Sequence, residues 1–136
     1  MEEKELIRAA MEARQMAYAP YSNFLVGAAL LTENGTIYQG CNIENASYGA
    51  TNCAERTAVF RAVSEGETRF SAIAIAGGMR DQELTYAYPC GICRQVLREF
   101  CEPEQMWVIV ARSETDYQKR KLSELLPDSF GPDFAG

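Results

Sequence analysis

Leu6, Ala9, Ala10, Ala13, Met16 and Ala17 recur at helical spacing with charged residues between them, which predicts an amphipathic first helix from residue 3 to about 18, ended by Pro20. The period then changes. Residues 24–31 form a β-rich apolar run, Glu33-Asn34-Gly35 is a turn signal, and residues 36–43 read as the returning strand of a hairpin. Alternation along that strand places Asn42 and Glu44 on one face near its end and turns Ile43 the other way. A polar, small-residue loop over 45–52 leads to a helical run from Cys53 to Gly66, with Asn52 as its N-cap. Residues 71–76 alternate small and branched side chains as a buried strand does, stopping at Gly77-Gly78. A second helix opens at Pro89-Cys90-Gly91-Ile92-Cys93 and runs through Phe100. Residues 106–111 are another buried strand, followed by an edge strand near 115–119 and a short helix, 122–126, ended by Pro127.

Strand, helix, strand, helix, strand through the middle of the chain implies parallel pairing with a right-handed crossover. The expected class is therefore α/β, a mixed sheet with helices packed on it, in one domain over residues 1–136. A chain of 136 residues can bury a core without staples, and 47% apolar with 24% charged residues is ordinary for a folded protein. A net charge of −6 with no run of Lys and Arg argues against a nucleic-acid partner. Met1-Glu2-Glu3-Lys4-Glu5 does not read as an export signal and no stretch approaches the length of a membrane span, so a cytoplasmic location without a membrane partner is expected.

Five cysteines and no histidine narrow the chemistry. An odd number of cysteines with no export signal points to metal or catalytic use rather than a disulfide framework. The missing histidine removes the usual neutral-pH base and leaves cysteine and carboxylate. Cys90 and Cys93 share one face of a helix start, where free N–H groups and the helix dipole favour thiolates. Cys53 opens the preceding helix, and both helices follow strands, so the three cysteines can meet where α/β folds place their sites. Together they suit one Zn(II) with an open coordination position. A closed structural site needs a fourth ligand. Cys101, about 12 Å further along the same predicted helix, is out of reach, whereas Cys41 is not excluded. A thioredoxin-like redox pair at Cys90 and Cys93 is the other reading, and it leaves Cys53-Ala54-Glu55 unexplained. Glu55, in the same first turn as Cys53, is placed to take a proton from an activated water without being a ligand.

Cys53-Ala54-Glu55 followed by Pro89-Cys90-Gly91-Ile92-Cys93 resembles the zinc deaminase signature, with cysteine in place of the histidine ligand. Residues 42–48, Asn-Ile-Glu-Asn-Ala-Ser-Tyr, together with Cys53 to Ala58 and Cys90 to Val96, narrow the likeness to the small homotetrameric cytidine deaminases. The resemblance runs from Ala19-Pro20-Tyr21-Ser22 to Leu125-Leu126-Pro127. It implies a three-layer α/β fold, a mixed five-stranded sheet with helices on both faces, with one zinc per subunit on Cys53, Cys90 and Cys93, which activates water for attack on C4 of cytosine, and Glu55 as the proton shuttle. It implies Asn42 and Glu44 on the sugar hydroxyls, Phe24 along the nucleoside, and the Ala54 backbone on the base. Arg56 is expected to donate to the cysteine sulfurs and offset the negative charge of a three-thiolate centre. Tyr48 and Phe130 resemble residues contributed to a neighbouring subunit's site. The expected reaction is hydrolysis of cytidine and 2′-deoxycytidine in pyrimidine salvage. A blasticidin S-type aminonucleoside deaminase, an editing deaminase and a non-catalytic zinc module are the alternatives.

Overall fold

In the computed structural model, which describes residues 2–135, helix α1 (Glu3–Ala13) buries Leu6, Ile7, Ala10 and Ala13. It tightens into a 3₁₀ turn at Arg14–Met16 instead of continuing to 18. Arg14 explains the stop, because its guanidinium donates to the carbonyls of Leu25 and Gly78, each at 2.8 Å, and ties the chain to two strand ends there. Strands β1 (Phe24–Thr32) and β2 (Ile37–Cys41) form the expected antiparallel hairpin, with Gly35 at φ +94° in its turn. β2 stops at Cys41, two residues early: Ile43 and Asn52 exchange both backbone hydrogen bonds at 2.9 Å, which draws the chain off the sheet.

Helix α2 (Ala54–Ser64) is followed by Gly66 at φ +92°. Strand β3 (Phe70–Met79) runs through the two glycines read as its end. Segment 83–87 passes so close that a Cβ on Gly77 would lie 2.7 Å from Ala87 Cβ, and one on Gly78 would lie 2.9 Å from the Glu83 carbonyl. Those glycines permit a close crossing and do not break the strand. Helix α3 (Gly91–Arg98) ends before Cys101, which is therefore not on that helix as expected but buried in the turn beyond it. Strand β4 (Trp107–Ala111) follows, then β5 (Tyr117–Lys121), displaced by two residues because Arg112 and Asp116 close the intervening turn. Short helices α4 (Leu122–Leu125) and α5 (Pro132–Ala135) complete the chain.

The strand order is β2-β1-β3-β4-β5. Only β3 and β4 pair in parallel; β1 lies antiparallel to both β2 and β3, so β2 and β3 run the same way with β1 between them. Alternation sorts the core by size. On one face Ile73 and Ile75 of β3 and Val108 and Val110 of β4 pack with Ala58 and Val59 of α2 and Leu97 of α3. Each such fully buried branched side chain contributes about 1.5–3 kcal/mol. On the other face Ala72, Ala74 and Ala76 receive Leu6, Ile7 and Ala10 of α1. At Gly40 the approach is closer still, since a Cβ there would lie 2.5 Å from the Ala54 carbonyl and 2.4 Å from the Ala58 nitrogen. The first turns of α2 therefore rest directly on the backbone of β2.

Candidate active site

Cys53 and Cys90 are the N-cap residues of α2 and α3, each in extended backbone, with Cys93 one turn into α3. The cap of α2 is thus Cys53 and not Asn52, whose side-chain amide instead donates to Thr57 Oγ1 at 3.1 Å. The sulfurs of Cys53, Cys90 and Cys93 all lie within 4.8 Å of one another. Cys53 Sγ and Cys90 Sγ are 3.9 Å apart, and Cys90 Sγ accepts the backbone N–H of Cys93 at 3.4 Å. Thiolates about 2.3 Å from one tetrahedral zinc are about 3.8 Å apart, so these sulfurs fit the edges of such a site. Among the described residues no other cluster of His, Cys, Asp or Glu has metal-binding geometry, and neither Cys41 nor Cys101 joins this one. Cys93 is fully buried, Cys53 half-buried and Cys90 exposed, so the cluster opens on one side.

Hydrogen bonding within the cluster favours an anion on Cys53 and keeps the proton on Cys93. Hydrogen bonding with the Cys93 thiol, together with donation from Arg56 and the contact with Cys90, lowers the Cys53 pKa against the opposing effect of burial. The Cys93 thiol is pushed up by holding that proton and by its own burial. Arg56 Nη2 reaches Cys53 Sγ at 3.3 Å, and this contact strengthens the guanidinium's hold on its charge. Its Nε is buried without a hydrogen-bond partner. The side chain is thus committed to the sulfurs at some cost, as charge compensation requires.

Glu55 points inward, with only 5% of its surface exposed. Burial pushes its carboxyl up to about 7, with the Cys53 charge acting the same way and its own backbone hydrogen bond and Arg56 opposing. A carboxyl at that value exchanges protons readily near neutrality. It shares a cleft of about 180 Å3 with Cys53, Cys90, Ala54, Phe24 and Asn42. Ala54 stands at the first helical position, where a backbone N–H has no intrahelical acceptor.

The residues expected on the sugar divide between two cavities. Asn42 is buried in the cleft wall, and its amide bridges β1, accepting from the Val26 N–H and donating to the Phe24 carbonyl, each at 2.9 Å. Glu44 lies past the end of β2 and lines an adjoining cavity of about 370 Å3 with Tyr21, Ser22, Tyr48 and Thr51; Thr51 borders both. Burial opposes the Glu44 charge, but donors from Ser22 and Tyr21 outweigh it and hold the carboxyl below its usual value. Tyr48 is 78% exposed and sits edge-on to Tyr21, with ring centroids 6.2 Å apart. Phe130, 66% exposed, does not line the cleft of its own chain. Its carbonyl accepts from Gln95 Nε2 at 2.9 Å, and Arg98 grips the flanking residues through Ser129 Oγ at 2.8 Å and Asp133 Oδ1 at 2.7 Å. The sequence reading passed over Tyr88, Thr51 and Ser22. Tyr88 directly precedes the Pro89-Cys90 pair and lines the cleft beside Cys90, a neighbourhood that carried the only available signal.

Residues 1–110 match the family described as the cytidine and deoxycytidylate deaminase zinc-binding region. The chain is 49% identical over 130 residues to the cytidine deaminase of Sporosarcina psychrophila, a match covering 96% of this chain and 92% of that one. To the cytidine deaminase of Mycobacterium tuberculosis it is 42% identical over 124 residues, 91% of this chain and 86% of the relative. Among solved structures, cytidine deaminase from Burkholderia pseudomallei superposes with a TM-score of 0.86 at 47% identity, covering 96% of this chain and 100% of the other. The Mycobacterium tuberculosis structure superposes with a TM-score of 0.81 at 38% identity, covering 96% and 98%.

Proposed function

As the chain belongs to the cytidine and deoxycytidylate deaminase family, we propose that its cleft hydrolyses the 4-amino group of cytidine and 2′-deoxycytidine, taking up one water and releasing uridine or 2′-deoxyuridine and ammonia. The observation that carries this reading is a buried carboxyl, Glu55, sharing one small cleft with the sulfur cluster.

A zinc ion held by Cys53, Cys90 and Cys93 would supply Lewis acidity, which lets water ionise near neutral pH. Glu55 takes the proton of the attacking water, delivers one to N3 of the base, and later protonates the leaving ammonia. Its burial suits all three transfers, because a carboxyl near 7 both accepts and releases protons. The free N–H at Ala54 orients the base, and the Phe24 ring covers it. Asn42 and Glu44 meet the sugar hydroxyls, which an apolar wall would not distinguish from hydrogens. Arg56 offsets the negative charge of three thiolates.

The assembly is a homotetramer in which neighbouring subunits complete each site. Supporting this, Met16, Tyr18, Tyr21, Ile43 and Tyr48 are exposed apolar side chains beyond the open β2 edge, and Phe60 is exposed on α2. Tyr48 and Phe130 are then contributions to a partner's cleft. The protein acts in the cytoplasm on free nucleosides; among the described residues no helix is long and apolar enough to cross a membrane.

Ammonia release from cytidine tests the reading, with zinc content measured in parallel for the wild type and Glu55→Ala. The variant is expected to keep its metal and lose about 10²–10⁴-fold in kcat. An inert zinc-loaded wild type, or a fully active variant, defeats the assignment.

A further inference from the structure

The carboxylate of Glu44 is held by one short stretch of chain. The backbone N–H groups of Tyr21 and Ser22 donate to Oε1 at 2.9 and 3.1 Å, and the Ser22 hydroxyl donates to Oε2. The same hydroxyl oxygen accepts the Phe24 N–H at 3.0 Å, so Ser22 bridges the start of β1 and Glu44, accepting from one and donating to the other. A carboxylate offers about four lone-pair sites. Three donors therefore leave about one, on Oε2, for a ligand in the cavity that Glu44 lines.

The stretch itself is fixed by contacts that serve no packing purpose. Asn23 has φ +60°, a left-handed conformation uncommon outside glycine, and Arg80 clamps it by donating its backbone N–H to the Asn23 carbonyl at 2.9 Å and its Nε to Oδ1 at 2.7 Å. Residues 20–23 are all exposed, so no core depends on their shape. What the clamp does preserve is the placement of Ser22 between Glu44 and Phe24.

We propose that Ser22 is a positioning residue whose hydroxyl fixes the direction of the one open lone pair of Glu44, and so sets the affinity for nucleosides that carry sugar hydroxyls. This rests on the reading of Glu44 as a sugar ligand. Without the hydroxyl, Oε2 loses its donor, and the broad terminal torsion of a glutamate lets it turn away from the substrate. Glu55 and the sulfurs are untouched, so the loss falls on binding that is common to ground and transition states.

The test compares cytidine with 2′,3′-dideoxycytidine in the wild type, Ser22→Ala, Ser22→Thr and Glu44→Gln, with melting temperature and zinc content recorded for each. Ser22→Ala is expected to raise KM for cytidine about tenfold with kcat within about twofold of wild type. Ser22→Thr restores most of that affinity, and KM for 2′,3′-dideoxycytidine changes by less than about twofold in Ser22→Ala. An equal rise for both substrates, or no rise for cytidine while Glu44→Gln does raise it, overturns the role of Ser22 alone. A wild-type KM for cytidine in Glu44→Gln removes the sugar reading itself, and the proposal with it.

Discussion

Cys53, Cys93, Glu55 and Arg56 stand on the first turns of two helices whose bodies are packed into the sheet, whereas Ser22, Glu44 and Tyr48 stand on loops beyond the β2 edge. The first group is positioned by burial: Cys93 and Glu55 have almost no exposed surface, and α2 rests on the backbone of β2. The second is positioned by hydrogen bonds between exposed groups, whose loss costs the fold little although it frees the side chains they aim. Proton transfer and metal binding tolerate small errors of placement poorly, and the rigid part of the molecule is suited to the roles proposed for it. The sugar contacts proposed for the open edge therefore depend on a few named donors, Ser22 foremost, and not on packing.

The sharpest way to break this contrast is Cys93→Ala. Removing a buried sulfur from the cluster should abolish stoichiometric zinc, lower turnover by about 10³-fold or more and reduce the melting temperature. Metal analysis with calorimetry checks it, and retained zinc would mean that the cluster is not the metal site. Arg56→Gln is milder. It is expected to lower kcat about 10- to 100-fold while the melting temperature stays within a few degrees, since only the compensation of charge is lost; unchanged turnover would assign Arg56 to the surface of the helix and nothing more. The smallest effect belongs to the loops. Tyr48→Ala should leave stability within about 0.5 kcal/mol, yet weaken self-association in sedimentation and make specific activity fall on dilution. Indifference to dilution would return Tyr48 to its own subunit.

The same division decides how much could be read from the chain. Helix starts carry local signals, so the gathering of Cys53, Cys90, Cys93 and Glu55 on two of them followed from spacing, as did the hairpin, the order of elements and the mixed sheet. The errors lie where a distant segment overrides local pattern. Gly77 and Gly78 read as a stop because glycines usually punctuate, but segment 83–87 crossing over them requires their missing side chains. Asn42 and Glu44 alternate as strand residues do, yet Asn52 captures Ile43 between them and sends the two side chains to different cavities. Ser22 gave no signal, since its role depends on a carboxylate more than twenty residues away.

Gly40 shows what such dependence means for the history of a sequence. It is not among the residues lining the cleft, yet any side chain there would lift the turn of α2 that bears Cys53, Glu55 and Arg56 together. Selection acting on turnover alone would hold position 40 as firmly as a ligand. Invariance among relatives, taken as a guide to chemistry, would mistake this spacer for a participant.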